Sequence, residues 1–213
     1  MNLNQLDQPK RILEDQIEGA SEVLARAFQN DPLFLHCFPD SDTRKIKNAL
    51  HCEFMILIGI VSGEVHITSD NIEGVGVWHP HGIKDHIISK PSKDIIRRMR
   101  RVRKEDISDP LLLKMMSIVE EIANSVQNEY VNFPHWYLSI IGVDPIHQGM
   151  GYASKLLKTK LAEIDNQNLP CFLHTENERN IQIYEHFGFK LIKKKKVPNS
   201  NLYFYGMLRK EMK

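Results

Sequence analysis

The stretch from Trp136 to Leu157, WYLSIIGVDPIHQGMGYASKLL, constrains this chain more than any other. Tyr137 to Val143 is short, apolar and rich in β-branched residues, the pattern of a buried strand. Asp144-Pro145 stops that strand, because proline cannot donate to a ladder. Gln148-Gly149-Met150-Gly151-Tyr152-Ala153 follows, and Ser154 to Ala162 has amphipathic helical spacing. Strand, glycine-bearing turn and helix start, in that order, aim free main-chain N–H groups and the positive end of a helix dipole at one point. A phosphate or pyrophosphate is stabilised there. Two nucleotide motifs do not fit. The lysine and hydroxyl of a P-loop are absent after Gly151, and the three-glycine dinucleotide spacing is not met.

The rest of the chain is read around this unit. From Asp15 to Gln29, apolar residues recur at helical spacing until Asn30-Asp31-Pro32. After the short segment 33–38, Ser41 or Asp42 offers a cap for a second, apolar-rich helix running to about Ile60. Val65–Ser69 and Gly74–Trp78 flank the turn residues Asp70-Asn71 and read as a hairpin, closed by His79-Pro80-His81-Gly82. Residues 84–130 show no strand pattern and read as two or three helices. They contain a basic block (Arg97, Arg98, Arg100, Arg101, Arg103, Lys104) and an apolar-faced helix from Leu111 to Val126. The block carries no interleaved aromatics and reads as a solvated helix face rather than a nucleic-acid grip. Cys171–Thr175 is a short strand, and Glu178–Phe187 is a helix stopped by Gly188. Phe189–Ile192 and Leu202–Leu208 are the last strands. The run Lys193–Lys196 between them reads as an exposed hairpin loop. This alternation predicts mixed α/β packing around one sheet, in a single domain spanning 1–213 with the helical segment 84–130 inserted in it.

Composition sets the outer bounds. A hydrophobic content of 42% supports a substantial core, and a net charge of +1 gives no global argument for nucleic acid or membrane. The longest apolar run, Phe54–Val61, is far short of the ~20 residues that span a bilayer. The N-terminal residues MNLNQLDQPKR lack the apolar core of a signal peptide. Cys37, Cys52 and Cys171 are widely spaced with no paired motif for a metal or a disulfide, so they are expected to be reduced core or pocket thiols in a cytoplasmic protein.

Gln148, Gly151 and Ala153 meet a Gln/Arg-x-x-Gly-x-Gly/Ala pattern that resembles the acetyl-CoA loop of the GNAT superfamily of N-acetyltransferases. Asn177–Phe189, with Asn180 and Tyr184 before Gly188-Phe189, is similar to that family's closing signature. Ala27-Phe28…Asp31-Pro32, the Gly-Val-Gly-Val-Trp-His-Pro strand, the helical insert and Trp136-Tyr137-Leu138 resemble the branch that includes puromycin N-acetyltransferase. The resemblance implies the GNAT fold: a mixed central β-sheet flanked by helices, with the central strand and the Cys171–Thr175 strand splayed apart. It also implies acetyl-CoA as co-substrate, no metal, a small-molecule amine as acceptor, no nucleic-acid or membrane partner, and a monomer or homodimer.

Site residues follow residue by residue. The backbone from Gln148 through Gly149, Met150, Gly151 and Tyr152 to Ala153 is expected to cradle the pyrophosphate, with Ser154 adding its hydroxyl. The resemblance implies that Ile141, Gly142 and Val143 pair strand-like with the pantetheine amides and that a main-chain N–H near Val143 stabilises the oxyanion. Ile141 and Val143 serve equally as sheet core. By the same likeness, Asn180 holds the pantetheine arm, and Arg179 could reach a phosphate. Tyr184 is the general acid for the departing thiolate, against the plainer reading of a tyrosine packed on its helix. His174 is either the general base or a hydrogen-bonded core histidine, and Glu176 is the same-face alternative. Glu129, Asp31, His79 and His81 stand in reserve. Protein acetylation and a non-catalytic CoA-binding module are the competing functions.

Overall fold

A computed structural model describes residues 8–83, 90–106 and 109–211. Strands β1 (Lys10–Arg11), β2 (Glu64–Ile67), β3 (Gly74–His81), β4 (His135–Val143), β5 (Cys171–Thr175), β6 (Lys190–Lys196) and β7 (Tyr203–Arg209) form one sheet. Their spatial order is β1-β2-β3-β4-β5-β7-β6. Neighbours run antiparallel except β4 and β5, which are parallel. Helices α1 (Ile17–Ala27), α2 (Pro32–Cys37), α3 (Ser41–Ser62), α4 (Lys93–Asp106), α5 (Pro110–Tyr130), α6 (Tyr152–Asn166) and α7 (Arg179–Glu185) complete the α/β architecture.

Three apolar clusters hold the layers together. Ile17 and Leu24 of α1, Ile56 of α3 and Ile95 and Val102 of α4 bury against Val75 and Val77. Val119 and Val126 of α5 pack with Phe172 and Phe204. Leu157, Leu161 and Ile164 of α6 pack with Trp78, Trp136 and Leu173. The sheet is thus covered on both faces, as a near-continuous apolar strand such as β4 requires. The three cysteines are buried and none forms a disulfide among the described residues. Among the described residues, no helix is long and apolar enough to cross a membrane.

The feature that matters for function lies at the sheet centre. β4 and β5 pair only from Trp136↔Cys171 to Leu138↔Leu173. Beyond Leu138 the two strands part, so the β5-facing edge of Ser139–Val143 has no partner strand among the described residues. This is the expected splay. The same strand carries a bulge on its other edge: Val77 lies opposite Ile140 and Trp78 opposite Leu138, leaving Ser139 as the extra residue. A bulge bends a strand and re-aims its backbone, and here it falls where the splay begins. Gly142 then lets α1 approach, since a Cβ there would stand 2.9 Å from Leu24, 3.0 Å from Ala27 and 3.2 Å from Phe28. Gly142→Ala is expected to cost about 1–3 kcal/mol by overpacking, measured as a lowered urea midpoint. An unchanged midpoint would show that α1 is free to withdraw.

Several local expectations are corrected. The segment 33–38 is helical, because Pro32 sits in the first turn and the Asp31 carboxylate caps it by accepting from Leu33 N at 2.9 Å. Asp40, not Ser41 or Asp42, caps α3 by accepting from Thr43 N. His79-Pro80-His81 does not close the hairpin but continues β3 against Tyr137, Trp136 and His135. Proline is tolerated there because β2 ends opposite Trp78, so Pro80 occupies a free edge. Lys193–Lys196 is not a loop but part of the outermost strand, paired with Gly206, Tyr205, Phe204 and Tyr203. Lysines on an edge strand oppose edge-to-edge association.

Within 84–130 the described residues form α4 and α5, while 84–89 and 107–108 lie outside the description. The arginine block is partly engaged. Arg101 donates to both carboxylate oxygens of the buried Glu53 at 2.7 and 2.9 Å, and Arg98 pairs with Asp94 and Glu53.

Candidate active site

The gap between β4 and β5 opens into a cleft of about 780 Å³. Its walls come from the far half of β4, the turn after it, the start of α6, the α1–α2 junction and α7. Asp144 organises the turn by capping a 3-10 turn at Pro145–His147 and receiving Arg26 at 2.7 Å. The Gln148 side chain donates back to the Val143 carbonyl at 3.1 Å, tying the loop to the strand end. Gly149 and Gly151 have φ of +77° and +92°, a region that favours glycine. Gly151 is the residue from which α6 starts, and no side chain caps that end. Gly151 to Ser154 line the cleft, so the start of a 15-residue helix, the end that stabilises an anion, borders it.

Ile141, Gly142, Val143, Gln148, Gly149, Gly151, Tyr152, Ala153, Ser154, Arg179, Asn180 and Tyr184 all line this cleft. The structure brings together every cofactor residue expected from sequence except Met150, whose side chain is exposed and is not among the lining residues. Asn180 donates from its side-chain amide to Thr175 Oγ1 at 3.1 Å, which fixes α7 to the end of β5.

A second, smaller cavity of about 140 Å³ adjoins the cleft on the inner side. Phe28, Asp31, Ile141, Asn180 and Tyr184 line both spaces and so mark their junction. Tyr184 is 9% exposed. Burial, with the nearby charges of Asp31 and Glu176, pushes its phenol well above the ordinary tyrosine value, so it stays protonated. Across the small cavity lie His174 and Glu176. His174 stacks between Tyr137 and Phe204, and its Nδ1 is 3.0 Å from the Tyr137 hydroxyl. Burial pushes it down to about 4, which makes it a neutral, weakly basic ring at pH 7. Its packed surroundings match a hydrogen-bonded core histidine.

Glu176 is different in kind. One carboxylate oxygen makes no hydrogen bond, and His174 Nε2 is 3.7 Å from it. Burial, reinforced by the charge of Asp31, pushes its carboxyl up to about 8. Burial likewise raises Asp31 to about 6, against the opposing N–H groups of Leu33 and Phe34. Asp31, a reserve residue in the sequence, is therefore a full member of the site. Its Asp-Pro capping signal was visible, but its place opposite Glu176 was not. Glu129 lies at the surface paired with Lys193, away from both cavities. His79 and His81 line neither space.

The raised Glu176 carboxyl has a stability consequence. Between its ordinary 4.5 and about 8, the folded chain keeps a proton that the unfolded chain releases, so stability falls as pH rises through that window. Glu176→Gln cannot titrate. It is expected to gain on the parent from pH 5 to pH 9 by roughly 2–4 kcal/mol, measured by urea unfolding at both ends. Parallel pH profiles for the two proteins would contradict the burial argument.

The seven-stranded sheet thus parts between its two central parallel strands, and both the uncapped start of α6 and the Tyr184 phenol line the cleft that opens there. Residues 116–191 match the family model described as an acetyltransferase (GNAT) domain. The chain is 24% identical over 182 residues to an uncharacterized N-acetyltransferase of Schizosaccharomyces pombe, covering 84% of this chain and 73% of that protein. Among solved structures, it is similar to a histone acetyltransferase HPA2-related acetyltransferase from Corynebacterium glutamicum. That match has a TM-score of 0.64 at 20% identity and covers 98% of each chain. It is also similar to arylalkylamine N-acetyltransferase 2 from Aedes aegypti, with a TM-score of 0.60 at 13% identity over 95% of this chain and 98% of that one. At these identities the structural likeness is one of fold. The match to the acetyltransferase (GNAT) domain spans residues 116–191, from within α5 to the start of β6, and so takes in β4, the turn after it, α6, β5 and α7.

Proposed function

We propose that the protein moves an acetyl group from acetyl-CoA to the primary amine of a small molecule, by direct transfer in a ternary complex. The observation that carries this reading is the junction itself: Tyr184 lines both the large cleft and the small cavity, beside the unpaired edge of β4. The cleft then takes the cofactor and the inner cavity the acceptor, with the reacting atoms between them. The turn and helix start from Gln148 to Ser154 hold the pyrophosphate, and Ile141 to Val143 pair with the pantetheine amides. Ile141 is the one β4 residue common to both spaces and beyond the bulge-flanking pairs, so the main chain there, rather than at Val143, supplies the oxyanion donor.

The transfer balances simply. The neutral amine attacks the thioester carbon, the C–S bond breaks, the Tyr184 phenol gives its proton to sulfur, and the proton lost from the new amide nitrogen returns to the phenolate. A raised phenol is no obstacle, since the burial that disfavours the phenolate also disfavours a thiolate leaving in the same space. Glu176, in its ionised form, takes the proton that the ammonium must shed, with Asp31 beside it. His174 holds Tyr137 and contacts Glu176, and has no proton to manage.

The likeness of the Ala27–Pro32 and Trp136–Leu138 stretches to the puromycin N-acetyltransferase branch supports a small acceptor. So does the limited size of the inner cavity. The test is a panel of small amines and of peptides with free lysine or N-terminal amines, each incubated with acetyl-CoA and read as free thiol. Thiol release with small amines is expected. Release with peptides alone would point to protein acetylation, and release with none would leave a CoA-binding module.

A further inference from the structure

Resting on the transfer reading above, we propose that the inner cavity selects a singly charged amine whose apolar body is about one six-membered ring in size and which carries no carboxylate. Three observations converge on this. The first is charge. The titratable groups lining the cavity are Asp31, His51, Tyr137, His174, Glu176 and Tyr184, and no lysine or arginine lines it among the described residues. Two acidic side chains thus face a space with no lysine or arginine to balance them, and an entering ammonium is the cation that would let both ionise. The second is an unmet bond. Glu176 is buried to nine-tenths of its side chain, and one of its oxygens has no hydrogen-bond partner. Native structures rarely leave such an atom unmet, and an ammonium N–H from the acceptor would satisfy it.

The third is size and lining. Phe28, Phe34, Met55, Met116 and Val119 give the space apolar walls, and its volume is about 140 Å³. An apolar cavity of about 150 Å³ takes benzene, so one ring with a short amine arm fills this one. An acceptor bearing an α-carboxylate would bring its own negative charge beside Asp31 and Glu176, cancel the cation that lets them ionise, and find no lysine or arginine among the lining residues to pair it. The site therefore rejects amino acids by repulsion as well as by lost contacts.

The experiment is calorimetric titration of the full-length chain, saturated with CoA, with three probes of nearly equal shape. Benzylamine is the cation, benzyl alcohol its uncharged counterpart, and phenylglycine the same amine with a carboxylate added. Benzylamine is expected to bind about tenfold or more tightly than either of the others. Glu176→Gln is expected to erase most of that preference while leaving the CoA Kd unchanged, and Asp31→Asn is the second variant if the first melts early. Equal binding of benzylamine and phenylglycine, or of benzylamine and benzyl alcohol, would overturn the proposal. Free-thiol release with acetyl-CoA is read separately. The binding preference without thiol release refutes the transfer reading alone, whereas transfer to an acceptor with no such preference refutes the selectivity alone.

Discussion

Tyr184→Phe is expected to lower kcat by about 10²–10⁴-fold while leaving the CoA Kd within about twofold of the parent. The change removes one hydroxyl from a side chain that is 9% exposed and keeps the ring that packs edge-on against Phe189 at 5.9 Å. The fold and the cleft wall should therefore persist, and the loss should fall on the step in which sulfur needs a proton. A split of this kind separates a group that acts on the reacting atoms from one that only lines the space. If both kcat and KM stay at parent values, the phenol is a packing group and sulfur takes its proton from water.

Gly151→Val acts at the opposite end of the cleft and on binding. Gly151 sits at φ +92° at the head of α6, where a β-branched residue is strained by about 1–3 kcal/mol. To relieve that strain the turn has to move, and the N–H groups of Tyr152, Ala153 and Ser154 move with it. CoA affinity is expected to fall at least tenfold, with melting temperature serving as the control for general damage. Tight CoA binding by a folded variant would remove the loop from the cofactor site. The two variants together test both ends of the cleft, because one should spare binding and lose turnover while the other loses binding.

How far these sites were legible depends on the distance over which their signals act. Gln148, Gly151 and Ala153 announced the loop, since a turn needing positive φ and a helix start are encoded within a few residues. Asn180 and Tyr184 were reached through the resemblance of Asn177–Phe189 to a family signature, since spacing by itself fits a tyrosine packed on its helix. Local patterning also yielded most elements, and the β5 expectation matches Cys171–Thr175 residue for residue. Misread segments were those where the neighbour decides. Lys193–Lys196 looks like a loop by charge, yet a sheet edge accepts it because its side chains reach water and Glu178 and the tyrosine rings at 203 and 205 receive Lys194. Pro80 looks like a strand end, yet it continues β3 because β2 has already stopped.

By itself, the sequence determined the strand–turn–helix unit and the mixed α/β alternation around it. These rest on periodicity and turn chemistry, which act between residues close in the chain. Tertiary structure alone decided that Asp31, from the start of α2, would face Glu176 from the end of β5, and that His174 would be stacked away as a neutral ring. It also decided that the parting of β4 and β5 would leave one space on each side of Tyr184. Burial and the proximity of charges set those properties, and both come from packing segments more than 140 residues apart.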